Sequence, residues 1–152
     1  MSENADLIKL YSGRILALAT DIAHHQRLDN PQASVKRRSP LCGSTVTVDL
    51  DLEDGHVSRF GQDVKACALG QAAAAIVGQV VLGRNAQELA RARDQLRAML
   101  QQDGPVPDAP FEGFEVLLPA RAYRNRHASI LLAIEAAAEA AQSLDAGAQN
   151  AP

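Results

Sequence analysis

The chain has 152 residues, 47% of them hydrophobic and only 3% aromatic with no Trp, so it is long enough for one domain whose core must be built from Ala, Leu, Val and Ile. A formal net charge of −3 supplies no global positive field for a nucleic-acid backbone or an anionic membrane, and neither is an expected partner. No run approaches the ~20 apolar residues of a membrane span, and Met1-Ser2-Glu3-Asn4 lacks the character of a signal peptide, so the chain is read as cytoplasmic.

Apolar residues from Leu7 to Ile22 follow helical spacing and predict a helix over 6–23, interrupted near Ser12-Gly13. Asn30-Pro31 turns the chain, because the residue before proline is pushed out of helical geometry. Ser34 to Arg38 is read as an edge strand guarded by Lys36, Arg37 and Arg38. Val46, Val48, Leu50 and Leu52 alternate with Thr47, Asp49 and Asp51, which predicts a half-buried strand with the two aspartates on its wet face. Asp54-Gly55 closes a hairpin, and the return strand carries Val57 and Phe60 off strict alternation, which a bulge near Gly61 would explain.

Ala66 to Leu82 reads as a buried helix stopped by Gly83, with Gly70 and Gly78 allowing close packing at some cost in helix propensity. Asn85 and Glu88 form a capping-box pattern ahead of an amphipathic helix that ends near Gln102. A Gly- and Pro-rich loop spans 102–110, Phe114 to Leu118 is a short extended piece or helical turn, and Ala128 to Ala141 is the last helix. The end, 142–152, has nothing large to bury and is expected to be disordered.

The chain has two cysteines, and in a reducing compartment these read as ligands or reactive thiols rather than as a structural disulfide. Cys42 sits in the turn Pro40-Leu41-Cys42-Gly43 ahead of the first hairpin strand, and Cys67 opens the alanine-rich helix after the second. Because a hairpin returns to its own beginning, both thiols are expected at one end of the sheet. The helix N-terminus should favour the thiolate of Cys67. The competing expectation is that both are small core residues, since free cysteine is commonly buried.

The order of Asn30-Pro31, Pro40-Leu41-Cys42-Gly43 with its strand, Asp54-Gly55, Phe60-Gly61, Cys67 and Val81-Leu82-Gly83-Arg84 resembles the iron-sulfur cluster assembly scaffold family of the IscU and NifU N-terminal type, over roughly residues 5 to 140. The resemblance implies an α+β fold, a small antiparallel sheet of about three strands packed against several helices, with residues 1–141 as the scaffold domain. It implies a non-enzymatic scaffold that takes sulfur from a cysteine desulfurase, collects iron, builds a [2Fe-2S] cluster and passes it to acceptor proteins. Cys42 and Cys67 correspond to the family's first two cysteines.

The departures are specific. Ser44 stands where the family has an aspartate, and Ser129 stands in the place of the third cysteine, or Ala128 does if the register shifts by one to match His127 to the family's histidine. The stretch from Asn30-Pro31 to Cys42 is shorter than usual, and the faint likeness of Leu118-Pro119 to a chaperone-recognition motif carries no chaperone dependence with it. Clusters usually take four thiolates, with histidine able to replace thiolate on one iron. The implied ligand set is therefore Cys42, Cys67 and His127, with Ser44 or Ser129 adding at most a weak oxygen. Such a site would bind its cluster loosely, could share it across a homodimer, and could hold zinc as purified.

Two alternatives stay open from the sequence: a thiol redox protein in which Cys67 reacts and Cys42 resolves, and an adaptor of the same fold without a cluster. His24-His25, on the expected first helix, reads as a solvated pair and His56 as exposed. Lys36, Arg37 and Arg38, with Arg121, Arg124 and Arg126, read as solvated faces or as a docking surface for an acidic partner such as the desulfurase.

Overall fold

A computed structural model describes residues 11–149. The elements are α1 (Gly13–Ala19), β1 (Ala33–Arg38), β2 (Thr45–Glu53), β3 (His56–Lys65), α2 (Ala68–Val80), α3 (Ala86–Gln101), a run of 3-10 turns (Glu112–Ala122) and α4 (Arg124–Gln149). They form the expected α+β fold, an antiparallel sheet in the order β1-β2-β3 with helices packed on it. No helix among the described residues is long and apolar enough to cross a membrane.

The hairpin follows the alternation. Glu53 pairs with His56 across Asp54 (φ 53°) and Gly55 (φ 80°), both left-handed as the tight turn requires. The bulge lies at Ser58 rather than near Gly61, since Asp51 pairs with Arg59 while Leu52 pairs with Val57. That extra residue lets Val57 and Phe60, three apart, both face the core. Gly61 instead permits a close crossing, because a Cβ there would collide with the Gln26 carbonyl, which passes directly over it.

The first helix is shorter than its pattern. Ser12 caps α1 by accepting the Ile15 N–H, the helix stops at Ala19, and the part expected over residues 6–10 lies outside the described residues. The chain then runs along the free edge of β3, where Gln62 N–H donates to the His24 carbonyl at 3.0 Å and Val64 N–H donates to His25 Nε2 at 3.3 Å. His24 and His25 therefore cover a strand edge instead of riding on a helix.

The same segment overturns the expected wet face of β2. Asp49 is fully buried, accepting from Arg27 Nε at 2.6 Å, Ser34 Oγ at 2.7 Å and Leu28 N–H at 3.0 Å. Burial would push this carboxyl up, but the bonds from Arg27, Ser34 and Leu28 and the Arg27 charge outweigh it and hold it below the ordinary range. Asp49 is a clamp that fastens the segment after α1 onto the sheet.

Helix α4 is the hub. It packs against β1, β2, α2 and α3, and its run from Ile130 to Ala141 is buried on nearly all sides. Alanines permit this closeness. The helix passes Ala141 and continues to Gln149, where a disordered tail was expected from Gln142; Leu144 packs against the core and holds the extra turns. Residues 150–152 lie outside the described residues. The stretch expected around Phe114 to Leu118 is the 3-10 run, anchored by buried Phe114 and Leu117.

Candidate cluster-binding site

The strand register brings the two thiols to one end. Thr45, the first residue of β2, pairs with both Arg38 at the end of β1 and Lys65 at the end of β3, so the β1–β2 loop and the start of α2 are neighbours. The loop 39–44 is closed by Ser39 N–H to the Ser44 carbonyl (2.8 Å) and Gly43 N–H to the Ser39 carbonyl (3.0 Å). Gly43, at φ +71°, supplies the left-handed residue this closure needs. Cys42 and Leu41 are left exposed at the tip.

Cys67 is the N-cap of α2, with extended backbone (φ −65°, ψ 169°), and is half-buried. Facing it from the second turn of α4 is Ser129. The contacts run in a chain: Cys42 Sγ to Ser44 Oγ at 3.1 Å, Ser129 Oγ donating to Ser44 Oγ at 3.1 Å, and Ser129 Oγ to Cys67 Sγ at 3.5 Å. Gly70 makes this approach possible, because a Cβ there would stand 2.6 Å from Ser129 Oγ and 3.2 Å from the Ser129 carbonyl. Four of the five residues singled out from the sequence thus meet. Ser129, not Ala128, is the residue of α4 that faces the thiols.

The fifth, His127, does not join them. Its ring is buried and Nε2 lies 2.9 Å from the Ala120 carbonyl and 3.1 Å from the Arg121 carbonyl, tying the start of α4 to the 3-10 run. Two positions apart on a helix is about 200°, so a helix that turns Ser129 toward the thiols turns His127 away. In this structure the His127 ring is engaged by backbone carbonyls and stands apart from the two thiols. Among the described residues no three of His, Cys, Asp or Glu gather closely enough to hold a metal ion.

A residue that no motif pointed to completes the tip. Ser39 is fully buried, and Cys42 Sγ donates to its Oγ at 3.3 Å; hydroxyls rotate, so Ser39 donates in turn once the thiol ionises. The hydrogen bonds of Ser39 and Ser44, the Ser44 backbone and, more weakly, Ser129 pull the Cys42 pKa down to about 7 against the small opposing effect of burial. The cause is hydroxyl donation, which differs from the helix-terminus effect expected at Cys67. The only sequence signal for it is the density of serines, Ser39 and Ser44, around Cys42.

This donor set is soft but incomplete. Two thiols suit iron, zinc or an iron-sulfur cluster, while the two serines can add only weak oxygens to what is usually a four-thiolate shell.

No family model matches the chain, and no curated protein does. The chain is similar to a number of solved structures, three of which bear on its family and fold. The N-terminal part of a nitrogen-fixing NifU-like protein from Brucella abortus is 39% identical with a TM-score of 0.90, covering 96% of this chain and 99% of that one. A putative iron-sulfur cluster assembly scaffold protein for the SUF system from Fervidobacterium islandicum AW-1 has 17% identity and a TM-score of 0.77, covering 88% and 97%. A hypothetical protein solved at 2.3 Å has 19% identity and a TM-score of 0.75, covering 89% and 98%. The last two share the fold. The first, at that identity and over nearly its whole length, places this chain in the IscU/NifU N-terminal family of iron-sulfur cluster assembly scaffolds.

Proposed function

We propose that this chain is a scaffold on which a transient [2Fe-2S] cluster is assembled from iron and sulfur and from which it is passed to acceptor proteins. Sulfur comes from a cysteine desulfurase, and the chain, acting in the cytoplasm, carries out no turnover chemistry of its own. Cys42 and Cys67 are the cluster ligands and sulfur acceptors. Ser44 and Ser129 line the site and contribute oxygen at most. Residues 1–141 act as one scaffold domain, and zinc can occupy the thiols before iron does.

The observation that carries this reading is the convergence of Cys42 and Cys67, 25 positions apart, on one serine-lined tip where Cys42 titrates near neutral pH. Thiolate is the form that binds iron and accepts sulfur. With only two thiolates the cluster is held more loosely than on three, a useful property in a protein that must release it, and a second copy could supply the missing ligands. Anaerobic reconstitution with iron and sulfide, followed by optical spectra, tests the reading. Wild type should develop the cluster's sulfide-to-iron bands, and a Cys42→Ala, Cys67→Ala variant should not; equal iron and equal spectra in both would refute it.

A further inference from the structure

Beside the Cys42 loop, on the far side of the α4 start from the thiols, lies a cleft of about 350 Å³, within the size range of small-molecule sites. Pro40, Arg37, Arg38, Arg97, Arg124 and Glu135 line it, four arginines against one glutamate in a chain whose net charge is −3. Glu135 is already engaged, by Arg97 at 3.0 Å and by Arg37 at 3.6 Å. Arg38 and Arg124 are exposed and have no acidic partner among the described residues. Arg124 opens α4, so the positive end of a 26-residue helix adds to its charge. Arg38 leans toward the cluster site, its Nη2 3.8 Å from where a Cβ on Gly43 would stand, next to Cys42.

The site thus lacks thiolates and adjoins a pair of uncompensated guanidinium groups built to take carboxylates. We infer that the cleft binds a small thiol bearing carboxylates, which anchors on Arg38 and Arg124 and reaches past Gly43 to give its sulfur to the iron held by Cys42 and Cys67. This rests on the scaffold reading. Arg38 is the nearer anchor, because its Nη2 stands beside Gly43 and Gly43 adjoins Cys42. On coordination the thiol loses its proton to solvent and displaces water or a serine hydroxyl from iron, with no change of oxidation state. Because the arginines are exposed, the anchoring weakens as salt rises.

Two measurements on the full chain test this. In the first, apo protein is titrated with S-methylglutathione, which has both carboxylates and no free thiol, and followed by amide NMR. Shifts are expected at Arg38, Arg124 and Ala128, reduced by salt and lost in an Arg38→Ala, Arg124→Ala variant. In the second, the protein is reconstituted with iron and sulfide in glutathione or in 2-mercaptoethanol at equal concentration, then desalted. Wild type should retain several-fold more cluster with glutathione and carry the tripeptide with it, whereas the double-arginine variant should show no preference. Failure of S-methylglutathione to bind wild type overturns the inference, and so does equal retention with either thiol, which leaves the scaffold reading standing. Absence of cluster with either thiol overturns the scaffold reading instead, and the titration still decides whether the cleft takes the carboxylates.

Discussion

Removing the two hydroxyls that flank Cys42 should change its reactivity in opposite directions at low and high pH. In a Cys67→Ala background the only thiol left is Cys42, whose pKa of about 7 makes it roughly half ionised at pH 7; at the ordinary 9.0 it would be about 1% ionised. A Ser39→Ala, Ser44→Ala variant that lost the whole shift would carry about 50-fold less thiolate at pH 7. A thiolate of higher pKa is also a better nucleophile, and with a Brønsted slope of ~0.45 a two-unit rise returns about 8-fold. Iodoacetamide alkylation at pH 7 should therefore slow by up to about 6-fold, an upper limit because the Ser44 backbone bond persists. Above pH 10, where both forms are ionised, the variant should react faster by up to about 8-fold. Linkage runs the same way. A thiol whose folded pKa is depressed adds stability above its unfolded pKa and loses it as pH falls through about 7, so the stability gap between the two proteins should widen from acid to alkali. An inflection that stays near 7 in the variant, or a rate lowered by one constant factor at every pH, would refute the assignment to Ser39 and Ser44.

Ser129→Cys places a third thiol against Cys67 and should raise the cluster retained through gel filtration several-fold; unchanged retention would mean that α4 does not reach the bound cluster. Gly70→Ala forces a methyl into the Ser129 contact, where backbone as well as side chain must move, and should cost about 1–3 kcal/mol in urea unfolding while loosening the cluster. Asp49→Ala strands the Leu28 amide and the Ser34 hydroxyl and frees Arg27 to water. A loss of about 2–3 kcal/mol is expected, seen as a fall of roughly 5–10 °C in Tm.

What the sequence made legible was whatever depends on neighbours along the chain. Alternation from Val46 to Leu52, the Asp54-Gly55 turn, the Asn85 and Glu88 cap and the Gly83 stop each act over a few residues, and each stands where its pattern put it. Capping by Cys67 follows from the same local logic. The misreadings all come from segments that meet only in three dimensions. Asp49 has the polarity of a solvated strand residue, and nothing in its own strand reveals that residues 27–34 fold over it. Gly61 looked like a bulge because a glycine in a strand serves either a bulge or a close crossing, and the crossing partner is 35 positions earlier at Gln26. His127 matches the family's histidine, but the carbonyls that engage its ring, those of Ala120 and Arg121, belong to a 3-10 run whose place against α4 no local pattern gives. The tail looked featureless because its one anchor, Leu144, packs on a core assembled from other elements. The basic residues Arg37, Arg38 and Arg124 stand out in the sequence, but that they share one cleft with Arg97 follows only from the packing of α3 and α4 beside β1.

The central claim is that two distant sulfurs form one site and grip the same cargo. Iron and acid-labile sulfide per chain, measured after anaerobic reconstitution of wild type, Cys42→Ala, Cys67→Ala, the double variant and His127→Ala, tests it directly. One shared site predicts that either single cysteine change abolishes as much binding as both together, with His127→Ala retaining wild-type content wherever it stays folded. Single variants that each keep half, with the double losing the sum, would show two independent thiols and contradict the account.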